Sequence, residues 1–151
     1  MVIASKAQID VRLGNPMIPI AVCYASALIV LGVVDALWLS FYARKLFKPT
    51  LGDIARDTPR WIAAGLFYLL YPAGLVFFAA APALQSASWT MALTRGALFG
   101  FFTYMTYDLT NLASIKAWTT RLAVLDMIWG TFLTALASLA SYGAALLLQR
   151  F

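Results

Sequence analysis

Apolar residues run through this chain in four long blocks, separated by short polar segments. The blocks cover about residues 18–41, 61–84, 89–113 and 122–148. Each is long enough to cross a bilayer, which takes about 20 apolar residues in a helix. An open sheet would leave backbone groups unpaired in lipid, and four strands cannot close a membrane barrel. The pattern therefore predicts an all-α polytopic membrane protein: a four-transmembrane-helix bundle of residues 17–151, preceded by an N-terminal tail of residues 1–16.

The edges of the blocks carry local signals. Asp57-Thr58-Pro59 ahead of Trp61 offers cap candidates and a proline suited to a first turn, and Thr119 or Thr120 can cap the fourth block. Trp61 and Trp118 fall at one membrane interface and Trp89 at the other, as an aromatic belt requires. Residues 83–88 are few and uncharged, which predicts a tight antiparallel hairpin of the second and third helices. The longest connection, residues 42–60, is expected to hold a short interfacial helix near 51–56 with Leu51 and Ile54 toward lipid. Pro72 removes an amide inside the second block, which frees the Tyr68 carbonyl and favours a kink. Lys6 and Arg12 precede the first block as in a signal peptide, but its length exceeds an h-region of about 7–15 residues. Ile20-Ala21-Val22 before Cys23 is a poor lipoprotein cleavage site, so this block reads as a retained span.

Composition sharpens the class. Hydrophobic residues make up 63% and charged residues 11%, and mean hydropathy is +0.83. Soluble domains average about 45–50% apolar and about 25% charged, so a soluble globular fold, a disordered chain and a disulfide scaffold are excluded. There is no His, and all six acidic residues are Asp. Imidazole-based metal and haem sites and His-containing triads are thereby excluded, and the lone Cys23 can form no internal disulfide. No catalytic residue, cofactor or resident metal is expected. The net charge of +5 reports loops facing anionic headgroups rather than nucleic acid. One side of the membrane would hold Arg44, Lys45, Lys48, Arg56, Arg60, Lys116 and Arg121, and the other Lys6, Arg12, Arg95 and Arg150. The positive-inside rule then places the first and third loops in the cytoplasm and both termini outside.

An internal echo links the outer helices. Residues 33–41 and 124–132 both read V-x-D-x-x-W-x-x-F. The Asp and Trp of each, three residues apart, share a helix face. The middle helices carry Tyr68-x-x-Tyr71 and Tyr104-x-x-Tyr107. Because the first and fourth helices run in opposite directions, a true repeat would be inverted, as in many transporters.

Depth singles out three acids. Asp35, Asp108 and Asp126 each lie five or six residues from the cytoplasmic edge of their blocks. At a rise of about 1.5 Å per residue, that is roughly 8–9 Å inside. Three carboxylates on three helices thus share one layer, and an intramembrane acid faces the bundle interior or a wet cavity. Trp38 and Trp129 can donate indole N–H bonds, Tyr68, Tyr71 and Tyr104 can donate O–H bonds, and Asn111 is placed to orient Asp108. These nine residues form the candidate ligand site, with cation–π contacts if the ligand is cationic. The same groups could instead tie the helices together, each contact contributing about 0.6 kcal/mol. Lys45, Lys116 or Arg121 could also reach down to neutralise an acid. Gly96-x-x-x-Gly100 permits close helix approach, residues 134–148 read as small-residue packing, Arg95 can snorkel to headgroups, and Cys23 reads as apolar filler.

Several stretches resemble a known family: Val34-Asp35-Ala36-Leu37-Trp38-Leu39, Phe67-Tyr68-Leu69-Leu70-Tyr71-Pro72-Ala73-Gly74, Gly96-Ala97-Leu98-Phe99-Gly100, Thr106-Tyr107-Asp108-Leu109-Thr110-Asn111-Leu112-Ala113 and Val124-Leu125-Asp126-Met127-Ile128-Trp129-Gly130. They are similar to domain of unknown function family 2177, small multi-pass bacterial membrane proteins. The likeness covers residues 18–148, and the stretch before Asn15 is additional to it. It implies a bacterial inner (cytoplasmic) membrane protein and transfers no activity. Three readings follow. The leading one is a binder or transporter of a small ligand, ion or proton at the Asp/Trp/Tyr layer. The second is a structural or accessory subunit of a membrane complex, and the third a lipid-active membrane enzyme using Asp-bound Mg²⁺. The expected partners are the lipid bilayer, a small-molecule or cation ligand, and a homodimer or larger membrane complex.

Overall fold

The computed structural model describes residues 17–149, and the predicted tail of residues 1–16, with Lys6 and Arg12, lies outside them, as does Arg150. The fold is an all-α membrane bundle of four helices. Helix α1 spans Met17–Tyr42, α2 Trp61–Leu75, α3 Trp89–Ser114 and α4 Thr120–Leu148. Three helical stretches, Met17–Ile54, Trp61–Gln85 and Thr120–Leu148, are long and apolar enough to cross a membrane by length and composition. The 26 residues of α3 would extend about 39 Å, more than the hydrocarbon core of about 30 Å, but α3 is less apolar. It carries Arg95, Asp108 and a row of hydroxyls. Those hydroxyls bond back to their own helix: Thr94 to the Thr90 carbonyl, Thr106 to Phe102, Thr110 to Thr106 and Ser114 to Thr110. Such back-bonding hides polar groups that lipid cannot solvate.

Packing is arranged for lipid rather than water. Many large apolar side chains point outward, Ile62 at 83% exposure and Ile29, Leu37, Leu70 and Phe77 with it. The interior combines Leu31, Leu75, Leu122 and Leu133 with small and hydroxylated residues: Ala27, Ala79, Ala80, Ala137, Thr134, Ser138 and Ser141. Hydrocarbon solvates Leu as well as a core does, so helices associate through close backbone approach and polar contacts. Helices α3 and α4 make the most extensive contact, followed by α1 and α4. Gly96 and Gly100 face α4: a Cβ at Gly96 would lie 2.5 Å from Ser138 Cβ, and one at Gly100 would collide with the Gly130 carbonyl and Thr134. The Tyr104 ring lies directly on Gly130. The GxxxG face is thus used within the chain.

Helices α1 and α4 pack antiparallel in constant register. Cys23 Sγ donates to the Ser141 carbonyl and Ser141 Oγ returns to the Cys23 carbonyl, at 3.5 and 2.9 Å. Asp35 meets Trp129, and Tyr42 Oη donates to the Leu122 carbonyl. Each advance along α1 is matched by an equal retreat along α4. Cys23 is therefore a register contact as well as a filler.

The connections correct several local expectations. Thr119 Oγ accepts from the Leu122 amide, as a cap should. Helix α2 instead begins after Arg60 without a side-chain cap, so Asp57 and Thr58 do not serve that role. One turn beyond Pro72 the helix widens into a π-helical segment, Val76–Ala80, and then continues as Ala81–Gln85. The hairpin to α3 turns at Ser86–Ser88 with Ala87 at φ 49°. After α1 the chain passes through a π-helical turn, Ala43–Phe47, a helical turn, Lys48–Leu51, and a 3₁₀ turn, Gly52–Ile54. Ile54 is exposed, but Leu51, expected toward lipid, is buried at 5% with Tyr42, Trp118 and Leu122. The segment folds over the end of the bundle rather than lying flat beside it.

Candidate functional site

The three intramembrane acids are treated differently. Asp35 on α1 is 5% exposed and fully engaged. Tyr68 Oη on α2 donates to its Oδ2 at 2.8 Å, and Trp129 Nε1 on α4 donates to its Oδ1 at 3.2 Å. One carboxylate thereby ties three helices. Trp129 stacks on Trp38 at 4.3 Å between centroids and 10° between planes, and Trp38 stacks in turn on Tyr42 at 5.0 Å. Trp38, the other predicted donor, makes no hydrogen bond: its Nε1 is buried and unpartnered among the described residues.

Asp108 on α3 is 0% exposed, and neither carboxylate oxygen has a hydrogen-bond partner among the described residues. Buried polar atoms are nearly always bonded, so this is a conspicuous exception. Asn111 does not orient Asp108 as expected but interacts with Tyr107. The group nearest to doing so is Trp118, whose indole N–H approaches the Asp108 carboxylate as a donor without reaching normal hydrogen-bond geometry among the described residues. Trp118 was expected at the interface, yet it is 6% exposed and packs edge-on against Phe47 and Tyr107 at 5.8 and 5.5 Å. The turn from Ile115 to Trp118, closed by a 3.0 Å backbone bond, folds it inward.

Asp126 on α4 is half-buried and lies within electrostatic reach of both Asp108 and Asp35. Asp126 is thus electrostatically coupled to both of the other acids. Tyr42 and Tyr107 each lie within reach of Asp126 and Asp108. Neither Tyr42 nor Trp118 was singled out for the site by sequence. The available signal was spacing: Tyr42 follows Trp38 by one turn on the face already chosen for Asp35.

Tyr71 and Tyr104 play other parts. Tyr71 Oη lies 2.8 Å from Thr134 Oγ1 and 3.1 Å from Thr103 Oγ1, a second tie joining α2, α3 and α4 one turn deeper. Tyr104 lies near Asp35 and Asp126, with its ring on Gly130. Among the described residues, none of Lys45, Lys116 and Arg121 pairs with an acid, and the ion pair found is Lys48–Asp57, at 3.4 Å in the loop. Lys45 Nζ lies 4.5 Å over the Phe41 ring instead. Among the described residues, no three His, Cys, Asp or Glu side chains converge as metal ligands.

Helices with apolar outer faces, enclosing a small-residue core and a layer of acids, phenols and indoles, define a polytopic membrane protein with a polar interior. Residues 20–143 match the family model described as "Predicted membrane protein (DUF2177)". The chain belongs to that family, whose match includes every residue of the layer. Comparison with curated proteins and with solved structures gave no match.

Proposed function

We propose that the protein binds, and carries across or within the membrane, a small ligand, cation or proton at the Asp/Trp/Tyr layer. One observation supports this above others. Asp35 is saturated by donors from the bundle, whereas Asp108, still more deeply buried, has none among the described residues. A bundle needing only polar glue would bond both. In this reading Asp108 and Asp126 carry the charge or proton, Trp38, Tyr104 and Trp129 form walls, and the Asp35 and Tyr71 ties hold the helices in place. The excess of Lys and Arg in the first and third loops supports a cytoplasmic side nearest the layer, with both termini outside, in a bacterial inner membrane.

Native mass spectrometry of gently extracted protein tests the proposal. The expected result is a retained small molecule, or a proton-coupled flux in vesicles, that Asp108→Asn removes. Wild-type binding and flux in Asp108→Asn and Asp126→Asn would refute it. The accessory-subunit reading is favoured by the Asp35 tie, which alone locks three helices. It predicts a co-purifying protein partner and no ligand.

A further inference from the structure

The echo between α1 and α4 has a structural meaning. In constant antiparallel register, the Asp of each V-x-D-x-x-W segment faces the Trp of the other. On one side, Asp35 accepts from Trp129 and also from Tyr68. On the other, the register sets Asp126 opposite Trp38, and the pair is open. Trp38 Nε1 is unpartnered, and Asp126 accepts no hydrogen bond among the described residues. The molecule thus bonds one Asp of the echo across the bundle and leaves the other without a protein donor among the described residues.

Asp126 lies within electrostatic reach of Asp108, whose two oxygens are also unpartnered among the described residues. Tyr42 and Tyr107 lie within reach of both acids, and the buried indole of Trp118 lies beside Asp108. Two carboxylates lacking donors attract a cation rich in N–H or O–H groups. Tyr42 and Tyr107 bring phenol rings to the same region, while both faces of Trp38 are covered, by Tyr42 and by Trp129. A bare Ca²⁺ would require about six to eight oxygen ligands and Mg²⁺ a near-ideal octahedron of them, and no three carboxylates converge among the described residues. Resting on the ligand-site reading above, we infer that Asp108 and Asp126 seat an ammonium group, held by the two carboxylates beside Tyr42 and Tyr107. Its N–H donors supply to Asp126 what Tyr68 and Trp129 supply to Asp35. Near the membrane edge that group has two possible sources, a free amine or the headgroup of an aminophospholipid.

The test uses the whole chain in nanodiscs of phosphatidylglycerol, which carries no ammonium. Ethanolamine is titrated calorimetrically against sodium and potassium chloride controls. In parallel, phosphatidylethanolamine is mixed into the discs and its retention is read by native mass spectrometry. Saturable ethanolamine binding indicates a free amine, and selective retention of phosphatidylethanolamine indicates a headgroup; either supports the inference. Asp126→Asn is expected to weaken that binding by at least about tenfold at an unchanged melting temperature, since Asp126 makes no hydrogen bond in the bundle. Asp108→Asn should do the same, and Asp126→Asn decides the matter if that variant does not fold. Retention of a different ligand, or ammonium binding indifferent to both variants, overturns the ammonium assignment and leaves the wider reading standing. No retained or bound species of any kind overturns both.

Discussion

Asp35 and Asp108 are the same residue type at the same predicted depth, but the bundle bonds only one of them. At Asp35 each hydrogen bond crosses between helices, and such bonds contribute about 0.6 kcal/mol on average and up to about 1.7. Tyr68→Phe should lower stability by about that amount, and Trp129→Phe by more, because it also shrinks the ring stacked on Trp38. The two losses should be less than additive, because both donors serve one carboxylate. Thermal unfolding of the two single variants and the double variant in detergent checks this. Asp108→Asn, by contrast, should leave the melting temperature of ligand-free protein unchanged or raise it, since an unpaired buried charge is itself destabilising. Sequence could place these acids in a layer because depth is counted along a single helix. It could not choose Trp129 over Trp38 as the donor, because both carry the same local pattern and only the register between two distant helices separates them.

Glycine positions determine how the elements approach. Gly100 and Gly130 lie where backbone or a tyrosine ring occupies the space of a side chain, whereas Gly32 and Gly65 have open space around them. Gly100→Ala and Gly130→Ala should each destabilise by about 1–3 kcal/mol through overpacking. Gly32→Ala and Gly65→Ala should be neutral or stabilising by up to about 1 kcal/mol, because alanine is the better helix former. Denaturation of the four variants under identical conditions compares them. The helices, the α2–α3 hairpin and the Thr119 cap were legible because each is written in contiguous residues. The inward folding of Leu51 and Trp118 was not. Each sits in a segment that reads as interfacial by itself, and each is buried in one cluster that brings different loops together with Tyr42, Leu122 and Ala123.

For the molecule as a whole, the many large apolar groups on the outer faces set it apart from a soluble bundle, although leucines and alanines also fill its interior. Composition had already required such an arrangement. The loop charges add a direction. Single cysteines at the exposed positions Asp53 and Arg56 should resist an impermeant thiol reagent in intact cells and react after permeabilisation. Ready labelling of intact cells would reverse the orientation. Cys23, fully buried between α1 and α4, should stay unreactive in both conditions.

The parallel rings of Trp38 and Trp129 are close enough for their electronic transitions to mix. One chromophore of the pair belongs to α1 and the other to α4, the helices that carry Asp35 and Asp126. The bundle therefore carries its own optical reporter: an exciton couplet in the near-ultraviolet circular dichroism that follows the spacing of these helices. Anything that enters between them changes the couplet, without a dye or a label.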